Sequence, residues 1–94
     1  MEMEKKATAT LVILNDKGLH TRPSTELVKC ASNFKSEINL TYQDLTVNAK
    51  SLLGILMLAA AKGAKIQIEA SGEDAQDAIS AILALAANKF NMKY

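Results

Sequence analysis

The sequence is poor in the residues that usually carry cross-links or bind metals. One cysteine, Cys30, and one histidine, His20, occur in 94 residues, and tryptophan is absent. A single thiol excludes an intramolecular disulfide, and with a single imidazole it leaves too few ligands for a thiolate or imidazole metal site. We therefore expect neither a metal nor a cofactor. A lone thiol also fits a reducing compartment, which favours the cytoplasm.

Charge of one sign and long apolar runs are also missing. Eleven basic residues face ten acidic ones, so the formal net charge is +1, too little to attract a nucleic acid or an anionic membrane over distance. The longest apolar run, residues 52–61, is about half the ~20 residues that cross a bilayer. The charged start, residues 1–6, lacks the apolar stretch of an export signal. We expect a cytoplasmic protein that binds no nucleic acid and does not insert into a membrane.

Hydrophobic periodicity predicts seven elements in one domain, assigned to residues 1–94. Period-two alternation predicts strands over 8–14, 38–42, 45–49 and 66–70, with a turn at Gln43 and Asp44. Helical spacing predicts helices over 21–32, over 52 to about 60, and from 73 to about 90, where Asp74 and Asp77 complement the helix dipole. The order strand, helix, two strands, helix, strand, helix indicates an α+β domain, an antiparallel sheet covered on one face.

One cluster stands apart from this core pattern. The only histidine, the only arginine and the only proline lie within four consecutive residues, His20, Thr21, Arg22 and Pro23. They fall where the first loop becomes the first helix, and the first N–H groups of a helix lack internal partners and favour anions. A phosphoryl group on His20 would find donors at Thr21 and Arg22. Spacing alone leaves open the alternative that His20 only caps the helix and Arg22 is a solvated charge.

The chemistry of these residues suits phosphoryl transfer. Neutral imidazole is nucleophilic near pH 7, and a phosphorylated imidazole passes its group onward readily. Arg22 supplies a planar donor fork for phosphate oxygens. A helix end stabilises a nearby anion by only about 0.3–1 kcal/mol, which suits a carrier that must release its group.

Residues 18–23, Gly-Leu-His-Thr-Arg-Pro, resemble the active-site segment of the histidine-containing phosphocarrier (HPr) family of the bacterial sugar phosphotransferase system. Residues 48–54, Asn-Ala-Lys-Ser-Leu-Leu-Gly, resemble that family's regulatory serine segment, and residues 61–63 match as well. The resemblance extends from about residue 8 to about residue 90. It implies an open-faced β-sandwich in βαββαβα order, with three helices on one face of a four-stranded antiparallel sheet, and a monomer.

The resemblance also implies roles for individual residues. His20 would accept a phosphoryl group at Nδ1 from phosphorylated enzyme I and pass it to the IIA unit of a sugar permease, with Arg22 steadying the group. The protein would be a stoichiometric carrier and not an enzyme. Ser51 would be the target of an HPr kinase/phosphorylase in bacteria that possess one. The alternative is that Ser51 has only a structural role, as an ordinary helix N-cap.

The second predicted helix is apolar nearly all round, so one sheet cannot bury every side chain. We expect Ile55 and Leu58 to pack inward and Leu52, Leu53 or Leu56 to lie near the surface. Such an apolar patch beside His20 would be a docking surface for partners. A phosphate on Ser51 would add negative charge at its edge and alter the choice of partner.

Two features separate this chain from the usual family pattern. Thr21 and Ser24 stand where the family commonly has alanine, and we expect them to affect the transfer rate. The apolar stretch 55–60 resembles the paralogous carrier of the nitrogen-related phosphotransferase branch, so that branch stays an alternative.

Three other function classes compete with a phosphocarrier. An ACT-like regulatory module would use the leucine patch for a ligand or a dimer and leave His20 idle. An RNA reader is disfavoured because only Tyr42 among four aromatics lies on a predicted strand. A hydrolase using His20 with Asp16 and Ser24 is disfavoured because no oxyanion pocket is indicated.

Overall fold

Alternating apolar and polar residues build an antiparallel sheet. In the computed structural model, which describes residues 5–94, the strands are β1 (Lys6–Val12), β2 (Glu37–Tyr42), β3 (Leu45–Asn48) and β4 (Lys65–Ser71). Their order across the sheet is β1-β4-β2-β3, and every neighbouring pair is antiparallel. Most of the charged start from which we argued against an export signal lies outside the described residues.

Three helices complete the α+β architecture on one face of this sheet, as expected. They are α1 (Thr21–Ala31), α2 (Leu52–Met57) and α3 (Ala75–Ala87). Each strand buries alternate residues, and each helix buries one stripe against them, so that one core forms between the layers. Burying each such aliphatic side chain contributes roughly 1.5–3 kcal/mol. The largest fully buried aliphatics include Leu11, Ile38, Leu40, Ile66 and Ile68 from the sheet side and Leu27, Ile55 and Ile82 from the helices.

The opposite face of the sheet carries polar side chains that bond across the strands. Thr41 and Thr46 Oγ1 atoms lie 2.8 Å apart, and the Gln67 amide donates to the Thr10 hydroxyl over 3.0 Å. Tyr42 shares its parity with the buried Ile38 and Leu40, so its side belongs to the covered face. Among residues 5–94 the outer face therefore offers no aromatic platform for stacking bases.

The predicted hairpin turn forms without glycine. Gln43 and Asp44 both have positive φ, 49° and 68°, the pattern of a two-residue turn that follows the right-handed twist of its strands. Aspartate tolerates this left-handed conformation better than most residues. The adjoining pair Tyr42 and Leu45 then sets the register of β2 against β3.

Two predicted boundaries near the first loop and the second helix were wrong. The first strand ends at Val12 and not at residue 14, because Ile13 instead bonds to the turn at Gly63 and Ala64. The second helix ends at Met57 and not near residue 60. Ala59 has φ of 49°, a left-handed conformation that terminates the helix.

The third helix also differs from its prediction at both ends. It begins at Ala75, and the Asp74 carboxylate does not cap it but accepts hydrogen bonds from the N–H groups of Lys35 and Ser36. The helix ends at Ala87. Phe90, at the predicted end of this helix, lies beyond it in a left-handed stretch and is fully buried.

Candidate functional site

The loop between β1 and α1 is pressed closely onto residues 60 and 61. Gly18 has φ of +73°, and a Cβ built there would lie 2.5 Å from the Ala60 carbonyl oxygen and 3.0 Å from the Ala61 Cα. The next residue, Leu19, donates its N–H to that same Ala60 carbonyl over 2.9 Å. Glycine at 18 therefore meets both a conformational and a steric requirement. The backbone entering His20 is fixed as a result.

His20 is the N-cap residue of α1, as the sequence predicts. Its backbone is extended and its side chain makes no capping hydrogen bond, while its carbonyl accepts from the Ser24 N–H over 3.0 Å. The half-buried ring has Nε2 turned inward, where no atom of residues 5–94 bonds to it. Within residues 5–94 no hydrogen bond involves Nδ1, and Nδ1 is not fully buried without a partner as Nε2 is, so Nδ1 is the less enclosed of the two ring nitrogens. The imidazole is therefore available for chemistry at Nδ1.

Free backbone donors lie directly beside this ring. Thr21 and Arg22 are the first two residues of α1 and are exposed. Within the described part of the chain, no backbone or side-chain acceptor takes their N–H groups. The next residue, Pro23, has no N–H and is buried. The helix dipole adds partial positive charge at this end, so the arrangement favours an anion next to His20.

Arg22 adds an exposed positive charge at the same end of α1. The side chain is exposed, and no carboxylate of residues 5–94 forms an ion pair with it. It lines an open cavity of about 300 Å³ together with residues 91–94. A guanidinium without an internal partner keeps its donor fork for phosphate oxygens.

Asn15 is a feature of the site that the sequence-based reading missed. The predicted first strand ends at residue 14 and leaves Asn15 in the loop that follows. Asn15 is nevertheless fully buried, and its amide donates to the carbonyls of Lys89 (2.9 Å) and Tyr94 (3.2 Å). It thereby ties residues 89–94 to the loop that carries His20. An asparagine that follows apolar strand residues and precedes a turn is typical of an ordinary loop. Nothing in the local sequence therefore distinguishes this buried asparagine from an exposed one.

An ion pair makes a second tie to this loop. The Lys62 ammonium lies 2.9 Å from an Asp16 carboxylate oxygen. The hydrogen bond and charge of Lys62 hold the pKa of the Asp16 carboxyl below its usual value. Both side chains are mostly exposed, so this pair orients the loop and adds little stability.

Ser51 occupies the N-cap of α2, as predicted. Its Oγ accepts the Gly54 N–H over 3.1 Å. Ile55 and Leu58 are buried, as expected, at 0% and 5% exposure. The observed geometry is therefore that of an N-cap on a short helix packed against the core.

The predicted leucine patch is largely exposed. Leu53 is 70% exposed and Leu52 is 36% exposed, whereas Leu56 is only partly accessible. Met57, 60% exposed, belongs to the same surface and was not among the residues predicted to lie there. Helices α1 and α2 pack against each other. The patch, defined here as Leu52, Leu53 and Met57, therefore adjoins the helix that begins beside His20.

The other arrangements considered from the sequence do not assemble. Ser24 is buried and donates its hydroxyl to the Leu19 carbonyl, and Asp16 is paired with Lys62. Neither side chain therefore bonds to His20, as the catalytic residues of a hydrolase would. Residues 5–94 bring no three His, Cys, Asp or Glu side chains together as a metal site. None of the helices in that range combines the length and apolar character that a bilayer span requires.

Comparison with known proteins agrees with this geometry. Residues 7–88 match the family model described as the PTS HPr component phosphorylation site. The phosphocarrier protein HPr of Cupriavidus necator is 44% identical over 78 residues, which cover 83% of this chain and 88% of that protein. The structure of HPr-C-His from Thermoanaerobacter tengcongensis is 36% identical with a TM-score of 0.89, covering 94% of this chain and 99% of that one.

A second solved structure gives the same result. The phosphocarrier protein HPr of Bacillus anthracis is 34% identical with a TM-score of 0.80, covering 84% of this chain and 94% of that one. The matched range includes the loop with Gly18, the histidine at the start of α1 and the serine at the start of α2. With four antiparallel strands and three helices in the family's order, the chain belongs to the HPr family of phosphocarriers of the phosphotransferase system.

Proposed function

We propose that His20 accepts a phosphoryl group at Nδ1 from phosphorylated enzyme I and passes it to the IIA unit of a sugar permease. One observation carries this assignment. His20 stands at a helix start with Nδ1 reachable and with the free N–H groups of Thr21 and Arg22 beside it. The family membership supports a phosphocarrier role over an ACT-like module in which the histidine would be idle.

The transfer needs no proton movement at the histidine. In the neutral ring that carries its proton on Nε2, the Nδ1 lone pair attacks phosphorus, and the bond from phosphorus to the donor breaks as the new P–N bond forms. The Thr21 and Arg22 N–H groups and the Arg22 guanidinium then face the phosphoryl oxygens. The return step, to a nucleophile on the IIA unit, reverses these bonds.

The strength of the site fits a carrier. A helix terminus at an exposed position contributes about 0.3–1 kcal/mol to an anion, and an exposed arginine adds a comparable amount because solvent screens it. Together these amount to roughly one factor of ten in the equilibrium. The protein therefore holds the group without trapping it, and acts stoichiometrically.

A labelling experiment tests the assignment. Incubation with enzyme I and labelled phosphoenolpyruvate should give one acid-labile, alkali-stable phosphate on the native chain, and none on His20→Ala. Arg22→Ala should still accept label, at a reduced rate. Label that persists on His20→Ala would refute the assignment of the acceptor. Comparing IIA units of the sugar and nitrogen-related branches as recipients then identifies the branch.

Ser51 is proposed as a second, regulatory phosphorylation site. Its hydroxyl caps α2 at the edge of the exposed Leu52, Leu53 and Met57 patch. A phosphate there would add about −1.5 to −2 charges next to an apolar docking surface. It would weaken the binding of partners that remove water from this surface. Leu56 would contribute less to docking because it is partly covered.

The matched test compares two serines. An HPr kinase/phosphorylase with ATP should place acid-stable label on the native chain and on Ser80→Ala, whose serine is exposed on α3. Ser51→Ala should take up none. Equal label on Ser51→Ala and Ser80→Ala would remove the regulatory proposal while leaving the His20 assignment intact.

A further inference from the structure

The Leu19 carbonyl is a backbone acceptor that the helix itself does not satisfy. Leu19 precedes the N-cap His20, the first helical hydrogen bond runs from the Ser24 N–H to the His20 carbonyl, and Pro23 has no N–H to offer. The Leu19 carbonyl lies immediately before His20. An unpaired carbonyl in a buried place is costly, so a partner has to come from elsewhere.

The side chain of Ser24 supplies that partner. Ser24 is 0% exposed, and its Oγ lies 3.1 Å from the Leu19 carbonyl oxygen in a buried hydrogen bond. This is the one hydrogen bond that the Leu19 carbonyl accepts within residues 5–94. The hydroxyl therefore supplies a donor that the backbone of the first helical turn does not provide.

Ser24 also holds the other side of the histidine. Its backbone N–H donates to the His20 carbonyl over 3.0 Å, so one residue bonds to the carbonyls both before and at His20. The Leu19 N–H is in turn fixed to Ala60 over 2.9 Å. The peptide that joins Leu19 to His20 is thus held at its carbonyl, and the peptides on either side are held at the Leu19 N–H and the His20 carbonyl.

From this we infer that Ser24 is a positioning residue for phosphoryl transfer, acting through the Leu19–His20 peptide to set the direction of the His20 imidazole. The inference rests on the proposed role of His20. Ser24 itself does not touch the phosphoryl group, because its hydroxyl is buried and already donates to Leu19. The departure from alanine at this position is thereby explained as an added backbone hydrogen bond.

The effect should appear in the transfer step and not in partner binding. A reacting atom displaced by a fraction of an ångström loses alignment with the incoming phosphorus, and errors near 1 Å cost about 100-fold in rate. We expect Ser24→Ala to lower the rate constant at saturating phosphorylated enzyme I about tenfold, with the KM for enzyme I within about twofold of the native value. A residue needed only for folding would not produce that split.

Variants in the same turn control the experiment. Thr25→Ala removes the neighbouring hydroxyl, which bonds to the Thr21 carbonyl over 2.8 Å at the surface, and should transfer at the native rate. Ser24→Thr restores the hydroxyl at position 24 and should recover most of the lost rate. Amide hydrogen exchange at Leu19 should quicken about tenfold in Ser24→Ala and stay unchanged in Thr25→Ala.

The outcomes separate this inference from the proposed function. If the native chain takes no phosphate on His20, the function itself fails and the inference falls with it. If the native chain is phosphorylated and Ser24→Ala matches it in rate at saturation, only the positioning role is overturned. A slower Ser24→Ala whose loss lies entirely in KM also overturns it, because the bond would then serve docking.

Discussion

Replacing Gly18 by alanine should destabilise the protein more than the same replacement at Gly63. Both glycines have positive φ, +73° and +89°, but an alanine Cβ at 18 would meet the Ala60 oxygen at 2.5 Å, whereas nothing lies within 4 Å at 63. The pair therefore separates backbone strain from steric conflict. Each substitution carries the left-handed penalty of about 1–2 kcal/mol.

The steric part is specific to residue 18. To relieve the contact, the loop has to move away from Ala60, which lengthens or breaks the 2.9 Å bond between the Leu19 N–H and that carbonyl. Losing such a bond costs about 0.5–1.5 kcal/mol. We expect Gly18→Ala to lose about 1.5–3.5 kcal/mol of unfolding free energy and Gly63→Ala about 1–2 kcal/mol. For a domain of this size each kcal/mol shifts Tm by about 4–8 °C.

Urea unfolding followed by circular dichroism measures both variants, with equal m-values required for a valid comparison. Gly18→Ala should also transfer phosphate more slowly, because the moved loop carries His20, whereas Gly63→Ala should not. Equal losses of stability in the two variants would refute the reasoning, since the close approach to Ala60 would then have no energetic consequence.

Three further perturbations follow from other contacts. Asn15→Ala removes a buried amide from two partly buried hydrogen bonds and should cost about 1–3 kcal/mol of unfolding free energy, measured in urea. The exposed Asn33→Ala should show no measurable loss, and equal stabilities of the two variants would contradict the role of Asn15. The Ser36 hydroxyl and the Lys35 N–H lower the pKa of Asp74 in the folded protein below its unfolded value near 3.8. The ionised carboxylate therefore stabilises the fold above that pH, and this stabilisation is lost as the pH falls through the pKa of the folded state. The Asp74→Asn variant should therefore have a lower free energy of unfolding at neutral pH, and that free energy should fall less steeply below about pH 4. An unchanged dependence of the unfolding free energy on pH would contradict this. Leu53→Glu, at a side chain 70% exposed, should change stability by less than about 0.5 kcal/mol but raise the KM for enzyme I several-fold, unlike Leu45→Glu on the hairpin; equal KM values would remove the patch from docking.

The fold was predictable because its strands alternate cleanly. Ile38 and Leu40, or Ile66 and Ile68, could face only one side of a sheet, and their burial follows from period-two geometry. Boundaries were less predictable, since they depend on contacts made elsewhere in the chain. The early end of α2 comes from a left-handed Ala59, and alanine gives no signal for that conformation.

The centre of the site was predictable for a different reason. The first turn of α1 brings His20, Arg22 and Pro23 together because they lie within four residues of the sequence. Their grouping therefore needs no knowledge of the tertiary structure. The partners of Asn15 and Asp74 are 74 and 38 residues or more away along the chain, and sequence patterns carry no distance information of that kind. The sequence shows the hydroxyl of Ser24, but it does not show which acceptor the hydroxyl bonds. The Leu19 carbonyl was identified as that acceptor only from its burial in the structure.

The left-handed stretch at Lys89, Phe90 and Asn91 sends the end of the chain back toward Arg22. The family match stops at residue 88, so the wall of the cavity beside the arginine is built by residues outside the shared pattern. The buried Phe90 ring anchors this segment in the core, and the Asn15 amide ties it to the loop that carries His20. In this chain the surroundings of Arg22 therefore depend on residues that the family model does not include.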